Sequence, residues 1–325
     1  MTDLSTTYLG LKLKNPVIVS SSGLTNSVNK IEKLAGYGAG AVVLKSLFEE
    51  QINYEAGTML QYSDYPEARD YIKNYTKENS IEEYLKLIEQ SKKAVDIPVI
   101  ASINCVSASE WVSFAKKIEE AGADALELNV FYIPLDKEQG PEKYENVYYE
   151  LVTKIKEYTS LPIAVKLGPY FTNLLQVINK LYFRGVSAVV LFNRFYAPDI
   201  DINHMNITAG EVFSSPADIR QSLRWIGIVS ENIEKIDLSA STGNHDGAAV
   251  VKQLLAGATT VQVCSTLYKN GVESLQKITE DLKSWMASNS FTSIEDFRGK
   301  LNYKNIPDPA VFERTQFMKY FSGLQ

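Results

Sequence analysis

Residues Ala121 to Pro134 read AGADALELNVFYIP, and this stretch decides the fold. Ala121-Gly122-Ala123-Asp124 has the composition of a helix end, with a glycine suited to a left-handed C-cap. Side chains alternate across a strand, so in the residues that follow Ala125, Glu127 and Asn129 share one face and Leu126, Leu128 and Val130 the other. A bulky apolar face opposite a small and polar one suits a barrel strand covered outside by helices. Asn129 then stands at the strand's carboxyl end, where such barrels place their chemistry. Phe131-Tyr132-Ile133-Pro134 leaves the strand as a loop.

The same signal recurs at Gly38-Ala39-Gly40-Ala41-Val42-Val43-Leu44, Arg184-Gly185-Val186-Ser187-Ala188-Val189-Val190 and Ala256-Gly257-Ala258-Thr259-Thr260-Val261. Helix end, glycine and short apolar strand, repeated, mark an alternation of helices with parallel strands. Strands are expected at Pro16–Ser20, Ala41–Lys45, Pro98–Ile103, Ala125–Asn129, Pro162–Leu167, Ala188–Asn193, Ile236–Ala240 and Thr260–Cys264. Ser80-Ile81-Glu82-Glu83 and Ser107-Ala108-Ser109-Glu110 read as capping boxes that open helices. Ile81, Tyr84, Leu85 and Ile88 then repeat at helical spacing, as do Trp111, Phe114, Ala115 and Ile118. Eight such units indicate an α/β chain folded as a (β/α)8 TIM barrel over residues 1–301. A doubly wound open sheet is the alternative, weakened because no strand is followed by GxGxxG. Long connections at Ser46–Asn79 and Arg194–Ser215 fall on the carboxyl face, where they wall or cover a site. Residues 302–325 form an extension whose apolar pattern at Val311, Phe312, Phe317, Met318 and Phe321 reads as a short helix docked on the barrel or on a partner subunit.

Composition limits the function. With 325 residues, 45% hydrophobic and 22% charged, the chain describes an ordinary globular protein. A net charge of −6 argues against a general nucleic-acid or anionic-membrane surface. No window approaches the ~20 apolar residues that span a bilayer. The N-terminus lacks a leader pattern. Cys105 and Cys264 stand far apart, without a metal-type spacing, so a reducing cytoplasm is the expected setting and no metal is expected. His204 and His245 likewise lack ligand spacing.

The residues that finish the strands carry the chemistry: Ser21-Ser22-Gly23, Lys45-Ser46, Asn129, Lys166, Asn193, Ser241-Thr242-Gly243-Asn244 and Ser265-Thr266. Lys45 alternates with Ala41 and Val43, and Lys166 with Ala164, so both lysines are expected to point inward. Buried ammonium groups need a charge partner or a ligand, and Glu127 can offset one of them. Small residues after strands seven and eight are where many barrels bind phosphate.

Together with Asn15-Pro16, Val165-Lys166-Leu167-Gly168-Pro169-Tyr170-Phe171, Gly257-Ala258-Thr259 and Ser293-Ile294-Glu295-Asp296-Phe297-Arg298-Gly299-Lys300-Leu301, these stretches resemble the dihydroorotate dehydrogenase family, particularly its soluble class. The resemblance implies FMN at the carboxyl face. It implies Ser22 and Gly23 along the flavin, and Lys45 and Ser46 meeting flavin and substrate. It also implies Lys166 at the pyrimidine end of the isoalloxazine, with Asn129 and Asn193 binding flavin or substrate. Thr242, Gly243, Ser265 and Thr266 match the phosphate-binding turns. The family's Cys or Ser base in the loop after strand four is replaced: the ungapped match puts Tyr132 there, and a shift of one residue puts Ile133. Lys45 and Tyr132 are therefore the candidate catalytic residues, acting on dihydroorotate or a related small molecule. A homodimer and a separate electron-transfer partner are implied as well. Two further readings are a flavin-holding electron-transfer or scaffold subunit and a barrel lyase using Lys166 as a Schiff base.

Overall fold

The computed structural model describes residues 2–48, 68–104, 108–233 and 235–314, with the side chains of 68–78 and 108–113 left out of the description. Cys105, Ser107, the segment Gln61–Pro66 and the end of the apolar tail lie outside the described residues.

Eight parallel strands close into a barrel: β1 (Val17–Val19), β2 (Ala41–Val43), β3 (Val99–Asn104), β4 (Ala125–Asn129), β5 (Ile163–Leu167), β6 (Ala188–Leu191), β7 (Asp237–Ala240) and β8 (Thr260–Val263). Each pairs with its sequence neighbours, and β8 pairs with β1 through Val261–Val17 and Val263–Val19. The helices between them are α1 (Val28–Gly36), α2 (Ala68–Ala94), α3 (Ala108–Glu120), α4 (Pro141–Lys156), α5 (Leu174–Tyr182), α6 (Ile219–Asn232) and α7 (Gly247–Ala256). Gly38, Gly122, Gly185 and Gly257 all have φ between 86° and 114°, so the four repeated glycines of the sequence do turn helices into strands.

The barrel has two apolar layers. Leu126, Leu128 and Val130 of β4 belong to the large outer layer between sheet and helices, with Ile31, Ile88, Ile118 and Ile155. Ala125 faces inward with Ile18, Ala41, Val43, Ile100, Ala164, Ala188 and Val190. That inner layer is closed below by an antiparallel hairpin, Thr6–Tyr8 with Leu11–Leu13, which inserts Tyr8, Leu9 and Leu13.

One expectation needs correction, and two features were not anticipated. Helix α2 spans Ala68–Ala94, so Ser80 lies inside a helix instead of capping one. No Pro or Gly interrupts 68–94, and a capping-box pattern does not by itself end the helix before it. The connection Arg194–Ser215 carries a second hairpin at the rim, in which Pro198–Asp201 pairs with Asn206–Ala209. The plug hairpin, which precedes the first barrel strand, was not among the expected elements. Within the extension, Tyr303 N–H donates to the Gly227 carbonyl at 3.0 Å, and the Phe312 ring packs over Gly227 of α6. No described helix is long and apolar enough to cross a membrane.

Candidate functional site

Inward positions change character along each strand. On β4 they run Ala125, Glu127, Asn129; on β5, Ala164 and Lys166; on β8, Thr260 and Gln262. The register pairs Asn129 with Lys166 and Glu127 with Ala164. Glu127, Lys166 and Gln262 are therefore stacked above the apolar layer, with exposures of 1%, 6% and 2%.

Lys166 Nζ donates to Ser20 Oγ and to Gln262 Oε1, each at 3.0 Å, and lies 3.7 Å from Glu127 Oε1. Gln262 Nε2 in turn donates to Glu127 Oε2 at 2.7 Å. A buried ammonium is tolerated only where charge and hydrogen bonds compensate its lost hydration, and this network supplies both. Of the ammonium's three N–H donors two are used in hydrogen bonds among the described residues, and Glu127 Oε1 stands beyond hydrogen-bond distance, so the third is open to a ligand.

Above the network opens a cavity of about 600 Å³, within the usual range for cofactor sites. Lys166, Ser20 and Gln262 line its floor, Asn193 and Arg194 one wall, and Thr242, Gly243 and Ser265 the far end. Asn193 Nδ2 donates to Asn129 Oδ1 at 2.8 Å, and among the described residues the Asn129 amide NH2 and the Asn193 carbonyl oxygen make no hydrogen bond. Thr242 has φ +76° and donates from Oγ1 to the Phe192 carbonyl at 3.0 Å. Gly243, at φ +82°, passes so close to α6 that a Cβ would stand 2.1 Å from Ile219 N. This turn needs glycine.

The other anticipated residues fall in different places. The Ser46 hydroxyl joins Ser21 at 3.0 Å and Ser102 at 2.7 Å, on the β1–β3 side. Ser22 caps its own turn through Leu24 N–H, and a Cβ on Gly23 would meet Tyr268 Oη at 2.9 Å. Lys45 is half-buried just past β2 and is not among the residues lining this cavity. Thr266 is fully buried and gives its hydroxyl to the His245 carbonyl, so its side chain ties the turn together. Tyr132 does not share the Lys166 cavity. It lines a second cavity of about 230 Å³ with Phe131, Tyr144, Tyr148, Tyr170 and Phe171. Phe195, in the wall of the large cavity, stacks on Phe131 at 3.8 Å and on Tyr170 at 5.5 Å, and these rings separate the two spaces.

Sequence reasoning did not single out Ser20, Gln262, Arg194 or Cys264. Ser20 and Gln262 were findable as polar residues at inward positions of apolar strands. Arg194 bonds Asp218 at 3.2 Å and the Glu211 carbonyl at 2.6 Å, holding the rim connection to the start of α6. Cys264 lines the large cavity, where burial pushes its thiol pKa up against a hydrogen bond with Ser22 and the charge of Lys166. His245 is held below its ordinary pKa, first by burial and then by the charge of Lys269, and its Nε2 meets Ser214 Oγ at 3.0 Å. Among the described residues no cluster of His, Cys, Asp and Glu could hold a metal.

The dihydroorotate dehydrogenase family pattern matches residues 3–286. The catalytic subunit of dihydroorotate dehydrogenase B (NAD(+)) from Thermoplasma volcanium is 28% identical over 308 residues, covering 92% of this chain and 98% of the relative. Its counterpart from Methanocaldococcus jannaschii is 25% identical over 301 residues, 89% of this chain and 95% of the relative. The NAD-dependent dihydropyrimidine dehydrogenase subunit PreA of Escherichia coli K12 is 26% identical over 340 residues, 94% of this chain and 78% of that subunit. A closed eight-stranded barrel matched by this family along nearly its whole length makes the chain a member of the dihydroorotate dehydrogenase family, flavoprotein oxidoreductases that act on a CH–CH bond.

Proposed function

We propose that this chain binds FMN in the large cavity and exchanges a hydride with a CH–CH bond of dihydroorotate or a related small ring. The observation that carries the reading is the buried Lys166 ammonium at the cavity floor, with one N–H donor to spare. The donor set fits the cofactor: a fixed cation at one end, and Thr242, Gly243 and Ser265 at the other, where backbone N–H groups suit a phosphate. When bound, FMN supplies the hydride-accepting centre, and reduction places negative charge on its pyrimidine edge.

The chain's own residues do the rest. Lys166 holds positive charge where negative charge develops, and Ser20, Gln262 and Glu127 fix it there so that little reorganisation is needed. The free amide NH2 of Asn129 and the free carbonyl of Asn193 present an adjacent donor and acceptor, the complement of an imide edge. Lys45, half-buried just past β2, is a further cation at the carboxyl end of the strands, suited to a substrate carboxylate. Tyr132 is the candidate proton carrier, and that role requires its hydroxyl to leave the second cavity for the asparagine pair. Names of the relatives as catalytic subunit and subunit support a separate electron-transfer partner, and we extend the reading to a homodimer working in the cytoplasm.

Purified protein should show flavin absorbance, alone or after reconstitution with FMN, and anaerobic dihydroorotate or a panel of dihydropyrimidines and enones should bleach it. A chain that takes up no FMN sinks the reading. A chain that holds FMN but is bleached by none of these leaves the alternative, a flavin-holding electron-transfer subunit, which the placement of Tyr132 favours. Tyr132→Phe should retain FMN affinity and lose about a hundredfold in turnover, the scale of general acid–base catalysis. Unchanged turnover makes Tyr132 a wall of its pocket and nothing more.

A further inference from the structure

The second cavity has a composition that the flavin reading does not use. Of its twelve lining residues six are aromatic, two are proline, and Glu145 is the one that carries a charge. Tyr148 and Phe171 meet edge to face, 5.5 Å between centroids at 70°, so two walls of the space stand nearly at right angles. Tyr144 and Tyr148 rise from one side of α4, a turn apart, with Glu145 between them in sequence. Tyr132 and Tyr170 close it from the loops after β4 and β5.

The sign of the preferred ligand follows from the charges around it. Aromatic faces carry the negative side of the ring quadrupole. Glu145 accepts a hydrogen bond from Tyr149 Oη at 3.2 Å, and among the described residues no ion pair to it is found. One carboxylate oxygen is left without a hydrogen bond among the described residues, and the cations Arg184 and Lys180 stand over the Tyr149 ring, outside the lining. The helix start beside the cavity would favour an anion, but Pro141 brings no N–H there and Glu142 already occupies the first turn. From Asp136 to Glu145 the sequence carries four carboxylates, at Asp136, Glu138, Glu142 and Glu145, against Lys137 and Lys143. Both lysines are exposed and outside the lining. An anion would meet ring faces and a carboxylate. A cation meets what it needs. The protein uses the same chemistry just outside, where Arg184 lies 4.6 Å and Lys180 5.4 Å from the Tyr149 ring centroid.

We propose that this aromatic box, separate from the Lys166 cavity, is a binding site for a compact organic cation, an alkylated or quaternary amine. Recognition rests on cation–π contact with the Tyr144, Tyr148 and Phe171 rings and on the charge of Glu145. Because Phe131 and Tyr170 form both its wall and the partition to the large cavity, an occupant also braces the loop that carries Tyr132.

The test is calorimetric titration of the full chain with choline and with its uncharged isostere 3,3-dimethylbutan-1-ol. Choline should bind at least about tenfold more tightly than the isostere, since a desolvated cation–π contact is worth on the order of 1–2 kcal/mol and 1.4 kcal/mol is a factor of ten. Glu145→Gln keeps an acceptor for Tyr149 and should weaken choline about tenfold while leaving the isostere unchanged. Tyr144→Phe should keep choline binding, and Tyr144→Leu should lose it, with thermal melting confirming that each variant is folded. Equal affinity for choline and the isostere, indifference to Glu145→Gln, or no choline binding to the folded chain overturns the proposal. The titration needs no flavin chemistry, so its failure and that of the FMN reading are told apart.

Discussion

Inside this barrel, residues two apart on one strand live in different surroundings. Ala125 lies among Ile18, Ile100, Ala164 and the plug residues Tyr8, Leu9 and Leu13, in a layer dominated by apolar side chains. Glu127, the next inward residue, stands in a network of carboxylate, ammonium, amide and hydroxyl. The lower layer is sealed by a hairpin and serves stability. The upper one opens to a cavity and holds charge in a fixed place. A barrel of parallel strands can assign the two tasks to two heights because successive inward residues of a strand stand in different layers, each layer filled from alternate strands. The difference is measurable: variants above should change chemistry more than folding, and variants below the reverse.

Lys166→Gln tests the upper layer with the largest expected effect. Turnover should fall by about 10²–10³, the scale seen when a group stabilising developing charge is removed. It also leaves Glu127 buried without its cation, a loss of about 3–5 kcal/mol. Adding Glu127→Gln removes the orphaned charge, so the double variant should regain most of the Tm and none of the turnover. Recovered turnover would mean that the pair is structural. In the lower layer Leu13, fully buried in the plug, is the counterpart. Leu13→Ala should cost about 2–5 kcal/mol in denaturant unfolding, with FMN bound per folded chain unchanged. A fall in FMN stoichiometry of the folded protein would show that the layers are not independent. Gly243→Ala is expected to be milder, above about 1 kcal/mol, because the left-handed turn must shift to clear Ile219 N. Since that turn lines the cavity, FMN affinity should weaken with it.

The outer face of this division was plain in the sequence, because alternation within Ala125–Asn129 and the four glycine turns depend only on local geometry. Asn129, Lys166 and Asn193 were legible for the same reason: position at a strand end fixes where a side chain emerges. What could not be read was pairing across the barrel. Gln262 is 135 residues from Glu127 and 96 from Lys166, and only closure of the sheet brings the three together. The plug was missed because Thr6–Leu13 is short and its apolar residues resemble those of an ordinary first strand. Tyr132 was placed by its distance from Asn129, but loop direction depends on what the loop packs against. Here the rings of Phe131, Phe195 and Tyr170 stack with one another, and Tyr132 lines the other side.

The smallest effect belongs to Asp237, a carboxylate that touches the plug. Asp237 opens β7 at the lower end, accepting from Leu9 N–H at 2.7 Å and from Thr259 Oγ1 at 3.4 Å. Burial raises its pKa above the ordinary aspartate value, against the Leu9 hydrogen bond and the charge of Arg298, which pull it down. Because the folded chain holds this proton more tightly than the unfolded chain, the group's contribution to stability is complete below the unfolded value of about 3.9 and is lost as pH rises through the folded one. Asp237→Asn keeps a carbonyl acceptor for Leu9 and has no charge at any pH. It should therefore melt above the parent near pH 7, with an advantage that shrinks as pH falls toward about 3.5. Asparagine that destabilises equally across this range would show that the Leu9 hydrogen bond outweighs desolvation, and that the lower layer depends on one fixed charge after all.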